Sequence, residues 1–193
     1  MNLSAVSTTQ IAIVIAVAVM VVAGIAIWLF IRKRRTERLR TQFGGTEYTR
    51  AVKEGGSRRQ AEAVLDKRAE RVERLHIRAL GPGDRARFFE SWRSVQARFV
   101  DCPGGAVTDA DQLLGDVMSA RGYPVSEFEQ RAADISVDYP LVLENYRAAH
   151  EIAVRQMRGQ ASTEELRQAM IHYRTLFEEL VAEPELARAK AAS

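Results

Sequence analysis

The chain has 193 residues, about one domain's worth, and its 47% hydrophobic content is concentrated: residues 11–31 form a 21-residue block with 20 hydrophobic side chains and Gly24. Of the 28 Lys and Arg and 25 Asp and Glu, residues 1–40 hold six and one, so residues 41–193 carry 22 against 24, a net charge of −2. The overall +3 therefore describes one short basic run, which removes the charge argument for a nucleic-acid partner, and none is expected.

A 21-residue helix rises about 31 Å, the thickness of a bilayer's hydrocarbon, and Trp28 and Phe30 fall near one interface. Residues 11–31 are therefore expected to be a single transmembrane helix. Residues 1–10 carry no charged side chain, whereas Arg32, Lys33, Arg34, Arg35, Arg38 and Arg40 follow the block with Glu37 the one acid among them. A cleaved secretory signal has the opposite charge order, so the segment reads as a retained anchor. Basic flanks stay on the cytoplasmic side, which puts a short N-terminus outside and the large domain inside. The same six basic residues form the candidate membrane-surface site, facing anionic lipid headgroups.

Residues 32–56 comprise this basic run and then TQFGGTEYTRAVKEGG, whose two Gly-Gly pairs and lack of a sustained period predict a flexible hinge. From residue 57 to 183 the pattern is helical. A first helix is expected over 57–76, with Ala61, Leu65, Val72 and Leu75 at coiled-coil-like spacing. Gly81-Pro82-Gly83 breaks the chain before a second helix carrying Phe88, Trp92, Val95 and Phe99. Pro103-Gly104-Gly105 marks the next break, and Val107, Ala110, Leu114, Val117 and Met118 share a helical face that ends at Gly122. Ser126 and Glu129 make an S-x-x-E capping box for a short fourth helix with Phe128 and Ala132 inward. Pro140 opens a fifth helix, with the stripe Val142, Tyr146, Ala149, Ala153 and Met157. Ser162 and Glu165 cap a sixth, with Leu166, Ala169, Met170, Tyr173, Phe177 and Leu180, that stops at Glu183-Pro184. The expected fold is all-α: one N-terminal transmembrane helix and a compact five- to six-helix domain, with 184–193 as a tail.

With three histidines, one cysteine and no glycine-rich nucleotide fingerprint, the chain lacks the common catalytic signatures, and neither an enzyme nor a cofactor is expected. Glu73 and His76 have di-iron spacing, but such a centre needs a second such pair and two more carboxylates, so they read as a helix-surface pair. Cys102 reads as a buried structural thiol, and a lone cysteine fits a reducing compartment. Residues 127–139 (EFEQRAADISVDY) read as a capped helix and turn in preference to a recognition surface. Arg93, Arg98 and Arg147, candidates for an anion site, read as solvated or ion-paired.

The strings FGGTEYTRAV, SWRSVQARFVD, VMSARGYPVSEFEQRAADISVDYP and NYRAAH, spread over about residues 43–181, resemble a family of uncharacterised bacterial proteins described as conserved membrane or secreted proteins. The resemblance implies a bacterial source and a compact helical domain, and carries no catalytic residue. Where relatives are called secreted, the charge pattern here favours the cytoplasm. Together these features predict a membrane-anchored protein-binding or scaffolding module with a protein partner. The alternative is a tethered ligand-binding or enzymatic bundle with Phe88, Trp92, Tyr146 and Tyr173 around a pocket.

Overall fold

The computed structural model describes the backbone of residues 8–182 and the side chains of residues 18–182 apart from 32 and 35. Residues 1–7 of the expected N-terminal segment, the Glu183-Pro184 stop and the tail lie outside the described residues, as do the side chains of Arg32 and Arg35. Eight helices are described: α1 (Thr8–Gln42), α2 (Gly44–Gly55), α3 (Arg58–Glu73), α4 (Pro82–Arg98), α5 (Pro103–Arg121), α6 (Phe128–Asp138), α7 (Leu143–Met157) and α8 (Thr163–Val181). With no strand among the described residues, the fold is all-α. Among those residues no helix is long and apolar enough to cross a membrane. The part of the apolar run with described side chains, residues 18–31, is 14 residues long, against the roughly 20 that a crossing takes.

Two cores organise the helices. The larger lies among α4, α5, α7 and α8 with α6 at its side, and buries nearly every residue assigned to the stripes of those helices. Trp92 stacks on Phe177 with ring centroids 4.8 Å apart, and Phe89 meets the same ring edge-on. Met157 departs from its stripe and is 77% exposed, because α7 ends there and Gly159 turns the chain away. The smaller core joins the end of α1 to α2 and α3 through Leu39, Phe43, Tyr48, Ala51, Ala61 and Leu65.

The smaller core overturns the hinge expected at 41–56. Helix α1 runs through the basic segment to Gln42, and after the joint at Phe43 the chain re-enters helix as α2. Leu39, Phe43, Tyr48 and Ala51 lie on one buried face, so the apolar period crosses the first Gly-Gly pair instead of stopping at it. Gly44 (φ 69°) and Gly56 (φ 66°) take the left-handed conformation that lets the chain turn at the two ends of α2. They serve as a joint and a C-cap in a packed hairpin. Among the described residues the span where five or six helices were expected holds six, α3–α8, and α2 adds a seventh before them.

Local signals decide most of the boundaries. Ser57 is the N-cap of α3 and accepts from the Gln60 amide at 3.3 Å, and Ser162 and Glu165 form the full reciprocal box at α8. The box expected at Ser126 and Glu129 does not form. Helix α6 starts from Glu127 without a side-chain cap, since Glu129 reaches across to Arg147 on α7 at 3.0 Å. Pro82 and Pro103 begin α4 and α5, so the two expected breaks are the first turns of helices.

Candidate membrane-facing site

The site is built on one stripe of α1. Leu29, Lys33, Thr36 and Arg40 are spaced by four, three and four residues, which puts them on one side of the helix. Thr36 is buried on that side and its hydroxyl donates to the Glu62 carboxylate of α3 at 2.7 Å. Glu62 also accepts from the Tyr48 hydroxyl at 3.0 Å, and Tyr48 accepts from Nε of Arg58 at 2.9 Å. Arg58 Nε lies 3.4 Å from Glu62 as well. A chain of donors from Arg58 to Tyr48 to Glu62, met by Thr36 from the other side, thus ties α1 to α2 and α3. The hydrogen bond to Tyr48 leads the causes that raise the Arg58 pKa above its ordinary value.

Between the stripe and the start of α3 lies a cleft of about 390 Å³ lined by Leu29, Lys33, Thr36, Glu37, Arg40 and Arg58. The six sequence-assigned basic residues therefore divide. Lys33 and Arg40 line the cleft, Lys33 meeting Glu37 at 3.9 Å, both side chains largely exposed. Arg34 and Arg38 are exposed elsewhere on the helix, with the Arg34 guanidinium over the Phe30 ring, 4.7 Å from its centroid. Sequence reading missed Arg58, 18 residues beyond Arg40 and outside the basic run, together with Thr36, Tyr48 and Glu62. The four-three-four spacing along α1 could have found Thr36, and no local signal marks Arg58, Tyr48 or Glu62.

A second set of ion pairs locks this hairpin to the larger bundle. Glu47, buried on α2, accepts from Arg68 at 2.7 Å and lies 3.5 Å from Arg147 on α7. Asp134, 1% exposed on α6, accepts from Arg71 of α3 at 3.0 Å and from Gln130 at 2.8 Å. The run 127–139 is thus an internal joint: Glu129 holds Arg147, Asp134 holds Arg71, Arg131 meets Asp111 at 3.3 Å, and Asp138 accepts from the Tyr123 hydroxyl.

Asp111 is the hub of a third cluster. It accepts from the Tyr173 hydroxyl at 3.2 Å and faces Arg131, with Tyr146 and His150 nearby on α7. Burial first, and the Asp111 charge second, push both tyrosine hydroxyls well above the ordinary phenol range. Burial also holds His150 below its ordinary value, its ring stacked on Phe128 at 3.5 Å. The two tyrosines are buried in the bundle, and Asp111, Arg131 and His150 are half-buried at its edge.

The remaining sequence candidates are placed as follows. Helix α3 ends at Glu73, so His76 leaves the helix and the pair does not share a face. Among the described residues no group of three or more His, Cys, Asp and Glu is gathered to hold a metal. Cys102, expected to be buried, is exposed at the N-cap of α5. Arg93, Arg98 and Arg147 each face a carboxylate: Glu90 at 3.4 Å, Asp109 at 2.5 Å and Glu129 at 3.0 Å. Phe88, Trp92, Tyr146 and Tyr173 are all core residues, and Trp92 also lines a surface groove of about 170 Å³, beside Phe99 and Met170. Comparison of the chain with protein-family models, curated proteins and solved structures finds no match in any of the three.

Proposed function

We propose that the protein is a single-pass anchor of a bacterial inner membrane, with residues 11–31 in the bilayer, the N-terminus outside and α2–α8 forming a cytoplasmic scaffolding module for a protein partner. The observation that carries this reading is the continuity of α1: one 35-residue helix, about 52 Å long, holds the whole apolar run and ends with Leu39 buried in the domain. From residue 19 to 31 its large apolar side chains are more than half exposed, a surface that water disfavours and lipid accepts. The basic residues begin one position later, where headgroups would meet them. A scaffolding role is supported by the bundle, in which Glu47, Arg71, Asp134 and Arg147 of α2, α3, α6 and α7 pair across helices.

The single native thiol offers the test. Cys102 is exposed on the domain, so a membrane-impermeant maleimide applied to intact cells reports its side directly. The proposal expects protection in intact cells and full labelling after permeabilisation, with Leu141→Cys in a Cys102→Ser chain, at a site 87% exposed, giving the same pattern. Labelling of both sites in intact cells overturns the orientation. Release of the chain by carbonate washing overturns the anchor.

A further inference from the structure

We infer that the cleft between α1 and the start of α3 is a discrete binding site for the phosphate of an anionic phospholipid headgroup. The inference rests on the membrane reading above and gives its basic surface a defined pocket and a lipid class. Three cations converge on the cleft from two helices, Lys33 and Arg40 from α1 and Arg58 from α3. The carboxylates beside them are Glu37, next to Lys33, and Glu62, which is occupied by Thr36, Tyr48 and Arg58. Positive charge remains in excess. Arg58 uses Nε for Tyr48 and Glu62, a grip that fixes its planar fork beside the cleft without engaging its terminal nitrogens in those two contacts.

Position and shape favour a lipid over a soluble anion. The headgroup layer is about 5–8 Å deep on each side of the hydrocarbon. At 1.5 Å per residue, Lys33 and Thr36 stand about 3 and 7.5 Å beyond Ile31, within that layer, while Arg40, at about 13.5 Å, closes the cleft on the side away from the bilayer. Leu29, one turn before Lys33, gives the cleft an apolar wall on the bilayer side, where the first carbons of an acyl chain would lie. The volume of about 390 Å³ is that of a small-molecule site. Neither a solvated charge run nor a topology signal requires Arg58, a residue from another helix, to be held at this height.

The test uses the full chain in phosphatidylcholine nanodiscs with a minor fraction of phosphatidylglycerol, and counts the phosphatidylglycerol retained on the released protein by native mass spectrometry. Loss of a diffuse surface cation weakens lipid attraction about fivefold. The cleft predicts that Arg58→Gln and Lys33→Gln each reduce retention by more than about tenfold, while Arg38→Gln stays within the diffuse limit of about fivefold. Arg58 also braces Tyr48 and Glu62, so Lys33→Gln, which touches neither, reads the site without loosening the hairpin. Equal losses in all three variants overturn the site in favour of diffuse charge. Displacement of the lipid by excess inorganic phosphate overturns the lipid assignment in favour of a soluble anion. A chain washed off membranes by carbonate overturns the membrane reading as well, whereas a retained chain with equal losses overturns the cleft alone.

Discussion

Replacing Phe43 by alanine tests whether the segment after the basic run is a packed hairpin or a flexible hinge. Phe43 is fully buried, among Leu39, Tyr48, Ala51, Ala61 and Leu65, and is one of only a few large side chains in that core. Removing a buried phenyl ring costs about 3–5 kcal/mol from lost transfer energy and the cavity left behind. The smaller core has few other apolar contacts to share that loss, so it falls first on α2. At 1.4 kcal/mol per decade, the open population of α2 then rises roughly 10²- to 4 × 10³-fold. Arg50 and Lys53 lie on α2, so trypsin cleavage after these residues, resolved by mass spectrometry, reads this opening directly, provided cleavage is slow against reclosing. The expected result is slow cleavage in the parent chain and an increase of that order in Phe43→Ala, with cleavage in α8 unchanged. Rapid cleavage after Arg50 in the parent, or the same rate in both chains, would refute the packed hairpin.

Four further outcomes follow from the same geometry. Arg71→Ala strands the Asp134 carboxylate, 1% exposed, and should cost about 3 kcal/mol in urea unfolding. Asp134→Asn should cost nearer about 1, because Arg71, 42% exposed, can turn to water; equal costs would contradict this asymmetry. Gly122→Ala places a methyl group 2.5 Å from the His76 carbonyl oxygen at φ 99°, for a loss of about 2 kcal/mol and a fall of about 4–8 °C in Tm; an unchanged Tm would show that the 76–78 strand of loop yields freely. His150 is held below its ordinary pKa by burial, so the unfolded chain binds the extra proton and stability should fall as the pH drops through about 6.5, a slope that His150→Gln flattens. Two alanines inserted after Arg34 turn Leu29 and Lys33 by about 200° relative to Arg40 and Arg58 without altering charge, and should abolish the selective lipid retention that a diffuse patch would keep.

Helices α3 to α8 were legible because their signals are local: a 3.6-residue apolar period, Ser57 and Ser162 as caps, Gly122 and Gly159 as stops. The signals that misled were also local, and were overridden by distant partners. The Ser126 box fails because Glu129 has Arg147 to bind, 18 residues away. Gly104 and Gly105 read as a break, yet they lie in the first turn of α5, where a Cβ on Gly104 would stand 2.3 Å from the Gln156 side chain. Glycine at 104 leaves room for the end of the Gln156 side chain from α7, and nothing within a few residues of it says so. The hinge failed for a related reason: Leu39, Phe43, Tyr48 and Ala51 form one stripe only if the glycine pair between them is read as part of a turn of helical structure. The candidate site was half legible, since its α1 residues share a period while Arg58 arrives through Tyr48 and Glu62, contacts that no spacing encodes.

Replacing the hinge by a continuous helix changes what the proposed anchor can do. A flexible 16-residue linker would let the domain range about 20–24 Å from its attachment and meet partners in any orientation, raising their effective concentration and nothing more. Helix α1 instead carries its backbone 11 residues past Ile31, about 16 Å, and delivers Leu39 into the core of α2 and α3. Thr36 with Glu62, and Arg147 with Glu47, then pass that placement on to the rest of the bundle. On the membrane reading, the bundle is held at one height and one rotation above the headgroups, so a fixed face of it is presented to the cytoplasm. A partner must match that orientation, and whatever turns or tilts α1 in the bilayer, lipid occupancy of the cleft included, moves the presented face with it. On that reading the anchor is part of the geometry by which a partner is recognised, and a chain of α2–α8 alone should bind the same partner more weakly than dilution alone accounts for.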